Sequence, residues 1–154
     1  MKHRRLFAVL LAGILLVSVS SCQKEVIVNG NQYATTSHQY TVHANQWSQY
    51  TTDGRNQLIA TFSDEDITQD IFENGTVTAA VWCTYDSRSS AGSWNPLPYL
   101  YPFFWEEEGE SGVLTENIRF EYEQGKVTFV IEDMDGIMPY AMVDDITFKV
   151  TTVQ

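Results

Sequence analysis

Between Asn117 and Glu132 the chain follows a period of two. Ile118, Phe120 and Tyr122 alternate with Arg119, Glu121 and Glu123; after Gln124-Gly125, Val127, Phe129 and Ile131 alternate with Thr128, Val130 and Glu132. Alternation of this kind belongs to a strand with one buried face, because successive side chains leave a pleated backbone on opposite sides. A two-residue turn at Gln124-Gly125 pairs 123 with 126, 122 with 127, 120 with 129 and 118 with 131. Every inward partner is then apolar, and Glu123 meets Lys126 beside the turn. A slip of one residue would turn the whole apolar set toward water, so the register is strongly specified.

The rest of the chain after residue 39 carries mostly β signals. Tyr40-Thr41-Val42 and Leu58–Phe62 are β-rich runs on either side of the turn dipeptide Asp53-Gly54, and Ile146–Thr151 repeats the alternation. Thr76–Cys83 also reads as a strand. One helix is expected over 64–73: Ser63 suits the N-cap, Asp66 stands three residues on, Phe62 and Ile67 take the staple positions, and Asn74-Gly75 closes the end. The acids Asp64, Glu65 and Asp66 would then sit in the first turn, where the helix dipole favours them. About seven or eight strands with one short helix predict an all-β antiparallel β-sandwich, immunoglobulin-like or jelly-roll, over 39–154.

The N-terminus says where such a domain is sent. Lys2, His3, Arg4 and Arg5 precede an apolar run from Leu6 to Val17, broken only by Gly13. That run is too short to span a hydrocarbon core of about 30 Å, and with its basic flank it reads as a signal peptide. Val19-Ser20-Ser21-Cys22 resembles the lipobox of bacterial lipoproteins. The resemblance implies that residues 1–21 are removed and that Cys22 carries the lipid. More than one acyl chain is needed for stable anchoring, and the lipoprotein pattern supplies it. Gln23 in place of Asp after the cysteine implies the outer membrane. Gln23-Lys24-Glu25 resembles a shortened surface-export signal of Bacteroidota lipoproteins, which favours the cell surface over the periplasmic face. Residues 22–38 read as the lipidated cysteine and a polar tether, with one strand at Glu25–Val28.

Charge and cysteine content narrow the partners. The signal holds Lys2, Arg4 and Arg5 and no acid, so the mature chain has six basic against twenty acidic residues, a net of −14. Such a surface repels nucleic acid and anionic headgroups. Cys83 is the remaining thiol, which excludes an intramolecular disulfide, and its place in a strand points to a buried, inert thiol rather than a nucleophile. No Gly-rich phosphate loop and no Gly-x-Ser-x-Gly elbow occurs.

Asp66-Ile67-Thr68-Gln69-Asp70-Ile71, Asn74-Gly75-Thr76-Val77, Trp94-Asn95-Pro96-Leu97-Pro98-Tyr99 and the terminal Phe148-Lys149-Val150 together resemble a pattern of uncharacterised Bacteroidota outer-membrane lipoproteins. The resemblance implies a β-sandwich and carries no catalytic residue across.

Candidate sites are few. Asp133-Met134-Asp135-Gly136 opens like a calcium loop but lacks the later Glu, with Asp144 in its place, and reads as a polar turn. His38 and His43, five apart on a strand, face opposite ways and do not share a metal. The acids at 64–66 are explained by the helix start. Neither a metal nor a cofactor is expected, and no residue set nominates an enzyme. Leu97, Tyr99, Tyr101 and Phe103 share one face and read as core. Trp94 and Trp105 are the candidates for stacking on a sugar, Trp105 because a run of acids follows it. The expected role is a lipid-anchored, non-catalytic structural or interaction module of the cell envelope whose partner is an envelope protein. The alternative is a cell-surface glycan-binding accessory protein.

Overall fold

The computed structural model describes residues 25–28, 34–84, 90–107, 109–134 and 145–154, with backbone alone at 25–28, 103, 105 and 107. Among these residues, ten strands form two five-stranded antiparallel sheets. Sheet A runs β1 (Glu25–Val28), β2 (Ala34–Val42), β10 (Ile146–Val153), β5 (Thr76–Thr84), β6 (Gly92–Pro96). Sheet B runs β3 (Ser48–Thr52), β4 (Arg55–Ser63), β9 (Lys126–Asp133), β8 (Glu110–Glu123), β7 (Tyr99–Glu107). The all-β sandwich is what the alternation implied, with more strands than the seven or eight expected. β1 is the strand expected at Glu25–Val28, and β2 extends the expected Tyr40–Val42 run back to Ala34, into the stretch expected as tether.

The hairpin at Gln124-Gly125 has the expected register. Glu123 pairs with Lys126, Tyr122 with Val127, Phe120 with Phe129 and Ile118 with Ile131. Gly125 takes a φ of 75°, a left-handed conformation that favours glycine, as Asp53 and Gly54 do at the turn joining β3 to β4. Inward residues of both sheets meet in one core. Phe129 from sheet B and Phe148 from sheet A stack with centroids 4.0 Å apart and planes 10° from parallel. Leu58, Ile118, Ile131, Val42, Val81 and Val150 close around them, all buried.

The one α-helix among the described residues, α1 (Gln69–Asn74), begins later than its sequence suggested. Thr68, not Ser63, is the N-cap, and its side chain accepts a hydrogen bond from the Ile71 amide at 3.2 Å. Ser63 is still strand, paired with Lys126. Sheet pairing holds the chain extended to residue 63 and the clip to the β8–β9 turn holds the loop after it, so the helix starts only at Thr68, with apolar Ile71 behind it. Asp64, Glu65 and Asp66 therefore lie outside the helix, in the crossing from sheet B to sheet A. That crossing is clipped to the β8–β9 turn: the Asp64 amide donates to the Gly125 carbonyl at 3.0 Å, and the Gly125 amide donates to the Ile67 carbonyl at 2.8 Å. Gly75 ends the helix with an ordinary φ of −91°. Glycine is needed there for space, since a Cβ would fall 2.8 Å from the Val153 carbonyl oxygen and 2.9 Å from the Ile71 backbone.

Candidate functional site

Four places in the fold gather chemistry. The first is the outer face of sheet A. Alternation sends Phe148, Val150 and Val81 inward and their neighbours out, so Lys149, Trp82 and Trp94 share the outer surface. Trp82 and Trp94 are direct cross-strand partners, with rings edge to face at 5.3 Å and 65°. The Lys149 ammonium sits 4.5 Å from the Trp94 ring centroid, a cation–π contact. Thr76, Thr78, Thr147 and Thr151 alternate onto the same outer face. Both indoles are half-buried, and one face of Trp94 is covered by the lysine.

The second is the hairpin of β7 and β8. Tyr99–Glu107 pair with Ile118–Glu110, whereas β8 meets β9 only from Glu116 onward. Among the described residues, 110–114 are paired with β7 alone, while the Thr115 carbonyl accepts the Met134 amide at 3.2 Å; this outer part of the hairpin is termed the arm. Tyr99 and Tyr101 pack toward the core, as their shared face suggested. The opposite face is apolar and open: Phe104 is 74% exposed, its cross-strand partner Val113 53%, and Leu100 59%. Phe104, Glu106, Ser111, Gly112 and Val113 line an open depression of about 410 Å³ on this arm. The tip, from Glu106 to Glu110, is acidic.

The third is a pair of inward acids. Glu116 and Asp133 face each other across β8 and β9, both buried. Tyr101, opposite Glu116 on β7, has its hydroxyl pKa raised, first by burial and then by the charges of Cys83, Glu116 and Tyr99. Burial also raises the Cys83 thiol, more than a hydrogen bond with Asn95 lowers it. A thiol pushed this way stays protonated at neutral pH, the opposite of what a nucleophile needs.

The fourth lies at the end of the sandwich where β4 crosses to α1. His38, on β2, bonds Asp66 with Nε2 2.6 Å from Oδ2. Asp64 turns back on the same loop: its Oδ1 accepts from the Asp66 amide at 3.1 Å. Asp64 is 2% exposed, and its Oδ2 accepts no hydrogen bond among the described residues. Leaving a buried acceptor unmet costs about 1–3 kcal/mol, more when it is charged. One ligating atom from each of His38, Asp64 and Asp66 falls within 4.8 Å of the others. Sequence reasoning missed this cluster because it assigned the acids to a helix start. The signal that marked it was weak: Asp-x-Asp next to a strand end, with a histidine 26 residues earlier.

The expected site residues divide. Trp94 is on an outer face, paired with Trp82 rather than with Trp105, whose backbone lies in β7 and whose side chain is outside the described residues, as is Cys22. His38 and His43 have different partners, but they do not share a strand: β2 ends at Val42, and His43 caps the turn that follows and pairs with Asp145 through Nδ1 at 2.8 Å, in the open. Asp133 is an inward, buried residue at the end of β9 rather than part of a polar turn, because the alternation of Val127, Phe129 and Ile131 continues through it. Asp135 and Asp144 lie outside the described residues. No helix among the described residues is long and apolar enough to cross a membrane. No family model, curated protein or solved structure matches this chain.

Proposed function

We propose that this chain is a lipid-anchored outer-membrane lipoprotein whose sandwich is a non-catalytic interaction module, and that the β7–β8 arm is the part that meets a partner. The observation that carries the reading is the open apolar face of Leu100, Phe104 and Val113 on the β7–β8 hairpin. Exposed apolar side chains of this size gain nothing from water, and an apolar cluster of this kind suits a contact surface. Flanking acids at the tip suit a protein partner with an apolar centre and a basic rim, and they disfavour anionic lipid. Lipid attachment at Cys22 rests on the lipobox, and an outer-membrane address, on the surface side, rests on Gln23 and the residues after it.

Two experiments test the two halves. Inhibiting the lipoprotein signal peptidase in cells is expected to accumulate the unprocessed precursor, and normal processing under the inhibitor would contradict the lipid. Replacing Phe104 with Asp is expected to leave folding intact and abolish co-purification of the partner. Retained co-purification would contradict the arm's role.

A second reading, glycan binding, draws on the Trp82–Trp94 pair on an outer face shared with threonines. Sugars stack on flat indole faces, and these rings are set edge to face. A glycan array probed with the wild type and Trp94→Ala decides it: loss of a specific signal in the variant supports a sugar, and absence of any signal in the wild type removes it.

A further inference from the structure

We propose that His38, Asp64 and Asp66 form a binding site for one divalent transition-metal cation, zinc by the character of its donors. An imidazole nitrogen with two carboxylates is a borderline set, suited to zinc or manganese and poorly to calcium or magnesium, which take oxygen alone. The geometry has the required scale. In a tetrahedral zinc site, ligands about 2.0–2.2 Å from the metal stand about 3.3 Å from one another. Here His38 Nε2 and Asp66 Oδ2 are 2.6 Å apart, and all three ligating atoms lie within 4.8 Å. Small rotations of three side chains turn this spacing into a coordination shell.

The observation that distinguishes the cluster from a lone ion pair is Asp64. Its side chain is buried and held in place by the Asp66 amide on Oδ1, while Oδ2 accepts no hydrogen bond among the described residues. A second carboxylate beside a histidine–aspartate pair brings negative charge into a buried place, and a divalent cation compensates it. The backbone is held as well, since the clip between Asp64, Ile67 and Gly125 immobilises the loop that bears both acids. His38 and Asp66 side chains retain 16% and 25% exposure, so the ion has a route from solvent. Three protein ligands leave a coordination position for water.

The ligands come from different layers. His38 belongs to sheet A, and the two acids follow the last strand residue of β4 in sheet B. A metal there joins the sheets at one end of the sandwich.

The test is a titration of the purified full-length chain with zinc chloride by calorimetry, with magnesium and calcium as controls. Glu110→Gln at the acidic tip controls for diffuse attraction. One equivalent of zinc is expected to bind the wild type and Glu110→Gln alike and to raise the melting temperature. Asp64→Asn and His38→Gln are each expected to weaken zinc at least roughly tenfold. No stoichiometric zinc binding by the folded wild type, or equal binding by all variants, would overturn the proposal. Should the variants fail to fold, the X-ray absorption spectrum of the wild-type zinc complex decides: an imidazole with oxygen donors supports the site, and an all-oxygen or sulfur shell overturns it.

Discussion

Glu132 shows what one residue carries in this fold and how much of it a sequence reveals. It stands on the outer side of β9, where alternation put it, yet it is buried. Arg55 Nη1 donates to its Oε1 at 3.0 Å and Gln57 Nε2 at 3.3 Å, while Arg119 Nε donates to Oε2 at 3.3 Å. Arg119 also bonds Glu121. Burial alone would raise the Glu132 carboxyl, but these hydrogen bonds and the Arg119 charge outweigh it and hold the pKa below its ordinary value. A depressed folded pKa adds stability above the unfolded value, near 4.5, and that stability is lost as pH falls through the folded value. Glu132→Gln is expected to cost about 1–2 kcal/mol at neutral pH, since the two arginines it leaves can reach water. The difference from wild type should shrink below about pH 4.5, as chemical denaturation at several pH values would show; a difference that grows in acid would contradict the assignment. Alternation located Glu132, but its partners on β4 lie some 75 residues earlier, and no local pattern encodes that meeting.

At the scale of elements, short-range chemistry was legible wherever it went unopposed. The β8–β9 hairpin could be read to the residue because turn, register and charge agree within sixteen positions. The helix could not, because two rival N-caps, Ser63 and Thr68, sit five apart and a long-range strand pairing decides between them. Thr68→Ala is expected to destabilise by about 1 kcal/mol, typical of a lost N-cap, and Ser63→Ala to change stability by less than about 0.5 kcal/mol. Thermal or urea unfolding of the two variants checks this, and the reverse order would restore the helix start at residue 64. The same displacement explains why the acidic loop was overlooked: with its acids assigned to a helix dipole, nothing local connected them to His38.

In the whole molecule the two sheets are joined by their inward faces, and the strand order within each is the least legible feature. β10, the last strand, lies between β2 and β5; alternation gives each strand an inner face but names no neighbour. The two aromatic populations have opposite energetic roles. Phe148 is fully buried against Phe129, and Phe148→Ala is expected to cost about 3–5 kcal/mol through lost burial and the cavity left behind. Phe104 touches mostly water, and Phe104→Ala should fall within about 0.5 kcal/mol of wild type. Denaturant titration of the pair separates core from surface, and a large loss at Phe104 would mean that the arm's open face is part of the fold rather than a contact surface.

That contact surface is tested most directly by placing a photo-crosslinking amino acid at position 104 in the intact cell, with a second probe at Tyr50, an exposed residue on β3 at the far edge of sheet B. After illumination, a discrete protein adduct is expected from 104 and not from 50. An adduct from neither position, or the same adduct from both, would contradict an interaction module that works through its arm.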